Sequence, residues 1–103
     1  NPYLVLAVCL EAGLDGIRNQ ITPPDAVTEN VFEMQLQQRA KLGIESLPGD
    51  LEQAVEELEK DDYIKNVLGG HITEKYLEAK RAEWADYRAQ VTEWEIEKYL
   101  YKI

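Results

Sequence analysis

The sequence predicts an all-α fold of five or six helices of unequal length. Three observations carry that expectation. Apolar residues recur at helical spacing along several stretches. Helix-start signals stand in front of those stretches: Asn1-Pro2, Asp50 with Gln53, and Thr92 with Glu95. No run alternates with period two over enough residues to make a strand.

The first helix runs from Tyr3 to about Asn19. Asn1 reads as its cap and Pro2 as its first-turn proline. Leu4, Val5, Leu6, Val8, Leu10, Leu14 and Ile17 wrap most of its circumference. A helix apolar on nearly every side is expected to be buried on nearly every side. Gly13 and Gly16 are poor helix formers, so a close neighbour or a bend is expected there. Arg18 suits the negative end of the helix dipole. Pro23-Pro24 closes this element, and residues 22–31 read as loop.

"NVFEM", residues 30–34, is a short apolar patch expected to anchor the loop. Residues 35–42 give one or two helical turns, with Leu36, Ala40 and Leu42 inward and Gly43 as the stop. Leu47-Pro48-Gly49 is a turn. Asp50 then opens an amphipathic helix with Leu51, Ala54, Val55 and Leu58 as its stripe. Asp61-Asp62 opens a shorter one, with Ile64, Val67 and Leu68 inward, and Gly69-Gly70 is the next break. The longest helix runs from His71 to about Gln90. Its expected buried side is Ile72, Tyr76, Leu77, Trp84, Tyr87 and Val91. Glu78–Arg81 and Lys80–Glu83 are spaced as surface ion pairs. After the Thr92/Glu95 capping box, a last helix carries Ile96, Tyr99 and Leu100 toward the end of the sequence.

A length of 103 residues suggests at most one domain, or a piece of one. The net charge of −9 speaks against nucleic acid and anionic membrane as partners, which call for Lys/Arg clusters. Most of that charge lies in residues 45–62, which sum to −7. The opening run "YLVLAVCL" has no basic residue in front, unlike a signal peptide. Glu11 and Asp15 interrupt it after eight residues, where a membrane-spanning helix needs about 20. The single cysteine, Cys9, fits a reducing cytoplasmic compartment.

The residues offer little chemistry. His71 has no Cys, Asp or Glu at metal-ligand spacing nearby, which points to a structural or surface role over a ligand or catalyst. Cys9, inside an apolar helix, reads as core packing rather than a nucleophile. Glu52, Glu56 and Glu59 share a helical face that fits a solvated surface better than a cation site. "GLDGIRN", residues 13–19, lacks the glycine pattern of a phosphate loop, and close helix packing explains its glycines better. Trp84, Tyr87, Trp94, Tyr99 and Tyr101 form a packing surface or a subunit contact. No catalytic, cofactor-binding or metal-ligating residue is assigned within the chain.

Several of these stretches resemble a known family. "NPYLVLAVCLEAGLDGIRNQITPP" resembles the start of the C-terminal helical region of bacterial and archaeal type I glutamine synthetase. The resemblance continues through "ESLPGDLEQAVEELEKD", "LGGHITEKYLEAKRAEW" and "YRAQVTEWEIEKYL", covering essentially the whole chain. Asn1-Pro2-Tyr3-Leu4 followed by Ala12-Gly13-Leu14-Asp15-Gly16-Ile17 is its most specific part.

The resemblance implies that residues 1–103 form the C-terminal helical segment of a catalytic domain. The N-terminal β-grasp domain and the catalytic barrel would lie upstream. The parent enzyme would make glutamine from glutamate and ammonia, using ATP and Mg²⁺ or Mn²⁺, through γ-glutamyl phosphate. Its ligand-binding residues would lie before Asn1, so the segment alone is expected to be structural and inactive. The partners implied are the remainder of the subunit and a homo-dodecamer of two stacked rings.

Trp94, Ile96, Tyr99, Leu100 and Tyr101 would either reach the opposite ring or pack within the subunit. Some relatives carry an AMP-modified tyrosine in Asn-Leu-Tyr-Asp-Leu. The matching residues are Asn30-Val31-Phe32-Glu33-Met34, so the subtype without adenylylation is implied. Thr92-Glu93 stands where many relatives have His-Pro. The rival reading is a stand-alone acidic helical module that binds a partner through residues 45–62.

Overall fold

Local signals set the helix starts. In the computed structural model, which describes residues 1–100 and Lys102, α1 spans Pro2–Arg18. The Asn1 side chain accepts hydrogen bonds from the Tyr3 and Leu4 amides, satisfying donors the first turn leaves free. α1 ends before the Pro23-Pro24 pair, not at it. Gln20 adopts a left-handed φ of 51°, its amide bonds the Ile17 carbonyl, and the Ile21 amide bonds the Gly16 carbonyl. That is a complete Schellman stop, built on glutamine where glycine is the usual residue.

The loop that follows is pinned by Asn30. Its side chain accepts from the Phe32 amide and donates to Glu33. The expected apolar anchor is half right: Met34 is only 7% exposed, but Phe32 at the turn's tip is 94% exposed. α2 covers Leu36–Lys41 and ends in a second Schellman stop, with Gly43 at φ 66°. Leu36, Ala40 and Leu42 do not point into a core as expected. Among the described residues α2 packs against no other helix, so it has no core to point into.

α3, Leu51–Lys60, is capped by Asp50, whose carboxylate accepts from the Gln53 amide. Gln53 reaches back to the Gly49 amide, completing a reciprocal bracket. Asp61 closes α3 and opens α4, Asp62–Leu68, by accepting from the Ile64 amide. Gly69, at φ 80°, closes α4 and opens α5, Gly70–Arg88. A side chain with a β-carbon would be strained at that corner. Thr92 and Glu95 form the expected capping box in front of α6. α6 covers only Glu93–Glu95 and widens into a π-helical turn, Ile96–Leu100, in place of a continuous last helix. Tyr101, expected among the terminal contact residues, lies outside the described residues. Among the described residues there is no strand.

The helices assemble around the shortest of the central four. α4 packs against α1, α3 and α5, and α3 also packs against α5. Lys65 ties the α3–α4 corner, donating to the Glu59 carbonyl at 2.7 Å and pairing with Asp62 at 2.7 Å. Thr73 ties the next corner, its hydroxyl donating to the Lys65 carbonyl at 3.2 Å. Asp62, drawn toward Lys65, holds its carboxyl below the usual aspartate range.

The resulting core is small. Val55, 5% exposed, and Met34 are the buried apolar side chains among the described residues, with Thr73 the buried polar one. The radius of gyration is 18.8 Å, against about 13 Å for a compact globule of this length. The buried side of α5 is also rotated from expectation. Thr73, Leu77, Lys80 and Trp84 face inward, while Ile72, Tyr76, Tyr87 and Val91 are exposed. Polar residues therefore take inward positions that apolar periodicity would not assign.

Burial sorts the consequences of truncation. Val55→Ala removes two carbons from the tightest site and is expected to cost roughly 1.5–2 kcal/mol. Phe32→Ser, at the exposed tip, is expected to stay within about 0.5 kcal/mol of the parent. Paired urea denaturation curves measure both. Equal effects would show that α3 does not hold the core.

Candidate functional site

α1 is the feature that calls for a functional account. Its half-buried residues are Leu4, Val8, Glu11, Leu14, Asp15 and Gly16, which form the side laid against α4. The seam is partly polar. The Tyr63 hydroxyl donates to the Glu11 carbonyl at 3.1 Å and lies 3.3 Å from the Glu11 carboxylate. Arg18 reaches the same carboxylate at 3.4 Å, and Asn19 donates to Asp15 at 2.8 Å. Desolvation in the seam, reinforced by the Asp15 and Glu11 carboxylates, pushes the Tyr63 phenol above its usual range.

The opposite side of α1 is apolar and uncovered. Tyr3, Leu6, Leu10 and Ile17 are exposed, Leu10 at 64% and Ile17 at 74%. Their spacing of three, four and seven residues makes one continuous stripe, the pattern of a helix seam. Gly13 completes it, and a β-carbon there would meet nothing within 4 Å. The same holds at Gly16. The close neighbour expected at these glycines is therefore not supplied by the described residues.

Cys9 is also corrected. It is exposed rather than packed in a core, because α4 covers only one side of α1. It borders a shallow apolar groove with Val5, Val8, Leu58, Ile64, Leu68 and Tyr76. The chain thus turns Glu11 and Asp15 toward its own helices together with Leu4, Val8 and Leu14, and leaves a second apolar stripe outward.

The other candidates resolve into surface. His71 is exposed in the first turn of α5. Glu52, Glu56 and Glu59 do share a face, and it flanks the α3–α5 groove. They are not simply solvated, since Arg81 pairs with Glu59 and Arg88 comes within 4.0 Å of Glu52. Glu78 pairs with Lys75 at 2.7 Å, not with Arg81, which is engaged by Glu59. Lys80–Glu83 forms as expected, at 2.5 Å. Trp84 stacks on Tyr87, and Trp94 meets Tyr99 edge to face at 5.9 Å.

Among the described residues, no three His, Cys, Asp or Glu side chains converge to hold a metal ion. The arginines nearest a carboxylate cluster are already paired, Arg81 with Glu59 and Arg88 with Glu52. Among the described residues, no helix is long and apolar enough to cross a membrane.

Two contributors escaped sequence reasoning. Tyr63 lies one turn before Val67 and beside Ile64, so the α4 stripe could have included it. Thr73 lies one turn before Leu77, but a lone threonine gives no apolar signal.

Comparison with known proteins decides the family. Residues 1–99 match the family described as glutamine synthetase, catalytic domain. The chain belongs to the glutamine synthetase catalytic-domain family. It is 52% identical over 101 residues to a glutamine synthetase of Thermotoga maritima, covering 98% of this chain and 23% of that protein. Against the glutamine synthetase of Methanocaldococcus jannaschii it is 51% identical over 100 residues, 97% of this chain and 22% of the relative. Against that of Halobacterium salinarum it is 49% identical over 102 residues, 99% of this chain and 22% of the relative.

The chain thus spans less than a quarter of the length of these curated relatives and matches the C-terminal portion of glutamine synthetase. All-helical architecture agrees with that placement. The rival reading, a stand-alone acidic module, receives no support from these relatives.

The seam and the capping box titrate in opposite directions. Folding raises the Tyr63 pKa, so its contribution is present below the ordinary tyrosine range and is lost as pH rises through it. Tyr63→Phe should lower the denaturation midpoint at neutral pH and flatten its alkaline decline. An unchanged alkaline slope would remove Tyr63 from the seam.

Glu95 is held below the usual glutamate range by hydrogen bonds from the Thr92 amide and hydroxyl. Its contribution is therefore present above the ordinary glutamate pKa and lost as pH falls through the depressed one. The Thr92 amide shift, followed by NMR, should move with Glu95 protonation in that acidic window and not in Glu95→Gln.

Proposed function

We propose that this chain serves as the C-terminal helical part of a glutamine synthetase subunit, with a structural role. The outer stripe of α1 is then covered by the remainder of the subunit, and α4 transmits that position to α3 and α5. The observation that carries this reading is the second apolar side of α1. A helix at the surface of a free-standing domain turns one apolar stripe inward and a polar side to water, whereas α1 already lays Leu4, Val8 and Leu14 toward α4 and still exposes Leu6, Leu10 and Ile17 on its outer side.

On this reading the parent enzyme joins glutamate and ammonia at the expense of ATP, with Mg²⁺ or Mn²⁺. The residues that hold those ligands lie elsewhere in the subunit. Residues 1–103 act as one helical unit, beside a barrel and a β-grasp domain, in a cytoplasmic dodecamer. The exposed aromatic pair Trp94 and Tyr99 fits a contact surface between subunits. The subtype without adenylylation is supported by Phe32. It stands on an exposed turn, matches by the resemblance the position of the modified tyrosine, and has no hydroxyl to modify.

A graft tests the role. The chain replaces the matching 101 residues of the Thermotoga maritima enzyme, and glutamine formation and particle size are measured. Assembly with activity is expected from the graft, and no turnover from the chain alone. Turnover by the isolated chain, or a soluble graft that never assembles, would overturn the proposal.

A single substitution sharpens it. Leu10→Lys places a charge on the outer stripe. It should change the isolated chain's stability by no more than about 0.5 kcal/mol, since that position faces water. In the graft the same charge must be desolvated, and assembly should be lost. A graft that tolerates Leu10→Lys would leave the stripe without a covering surface.

A further inference from the structure

We draw no further inference here: the strongest candidate, the exposed apolar stripe Tyr3–Leu6–Leu10–Ile17 on the outer side of α1, belongs to the contact already proposed with the remainder of the subunit, and nothing in the structure shows any other surface that covers it.

Discussion

The arrangement depends on a mismatch between two helices. α1 offers apolar surface around most of a 17-residue helix, and among the described helices only the seven-residue α4 packs against it. Fully burying one large aliphatic side chain is worth roughly 1.5–3 kcal/mol. The outer stripe withholds several such contributions from this chain's own stability. The small core and the large radius of gyration follow from that. The helices adjoin at corners and do not enclose a common centre.

What holds the corners is mostly polar. Asp61 and Gly69 each close one helix and open the next, so α3, α4 and α5 form one continuous bent path. Lys65 bonds the Glu59 carbonyl near the end of α3, and Thr73 adds a second donor to the Lys65 carbonyl, which also accepts from the Gly69 amide. Tyr63 fastens α1 to that path through a backbone carbonyl, a partner that no side-chain substitution in α1 removes. Such bonds fix directions better than they add net stability, each being worth about 1 kcal/mol after exchange with water. Surface pairs such as Lys60–Glu57 add less still. On the proposed reading, a scaffold of this kind sets angles and leaves the energy of burial to the remainder of the subunit.

This explains which features were legible in the sequence. Caps and stops depend on a few adjacent residues, so Asn1, Asp50, Asp61, Gly43 and the Thr92/Glu95 box were readable. Burial was not. Periodicity identifies the apolar side of a helix but not whether this chain supplies its cover, so Cys9, Leu36 and the outer stripe of α1 were placed in a core that does not enclose them. On α5 the apolar residues Tyr76 and Tyr87 drew the reading away from the side that packs, where Thr73 and Lys80 sit. The resemblance ran along essentially the whole chain, with Asn1-Pro2-Tyr3-Leu4 and Ala12–Ile17 as its most specific part, and at the level of the family it agrees with the match over residues 1–99.

The two glycines of α1 gain meaning from their emptiness. In an ordinary exposed helix, glycine costs about 1 kcal/mol relative to alanine and contributes nothing. Among the described residues a β-carbon at Gly13 or Gly16 would meet nothing within 4 Å, so no close approach there offsets that cost. Gly13 lies within the outer stripe, between Leu10 and Ile17. A groove left by a missing β-carbon lets another backbone or a bulky side chain approach closely. On the proposed reading the glycine and the uncovered leucines call for the same thing, a shaped apolar surface from the remainder of the subunit. A free-standing acidic module would have neither reason to expose that stripe nor reason to notch it.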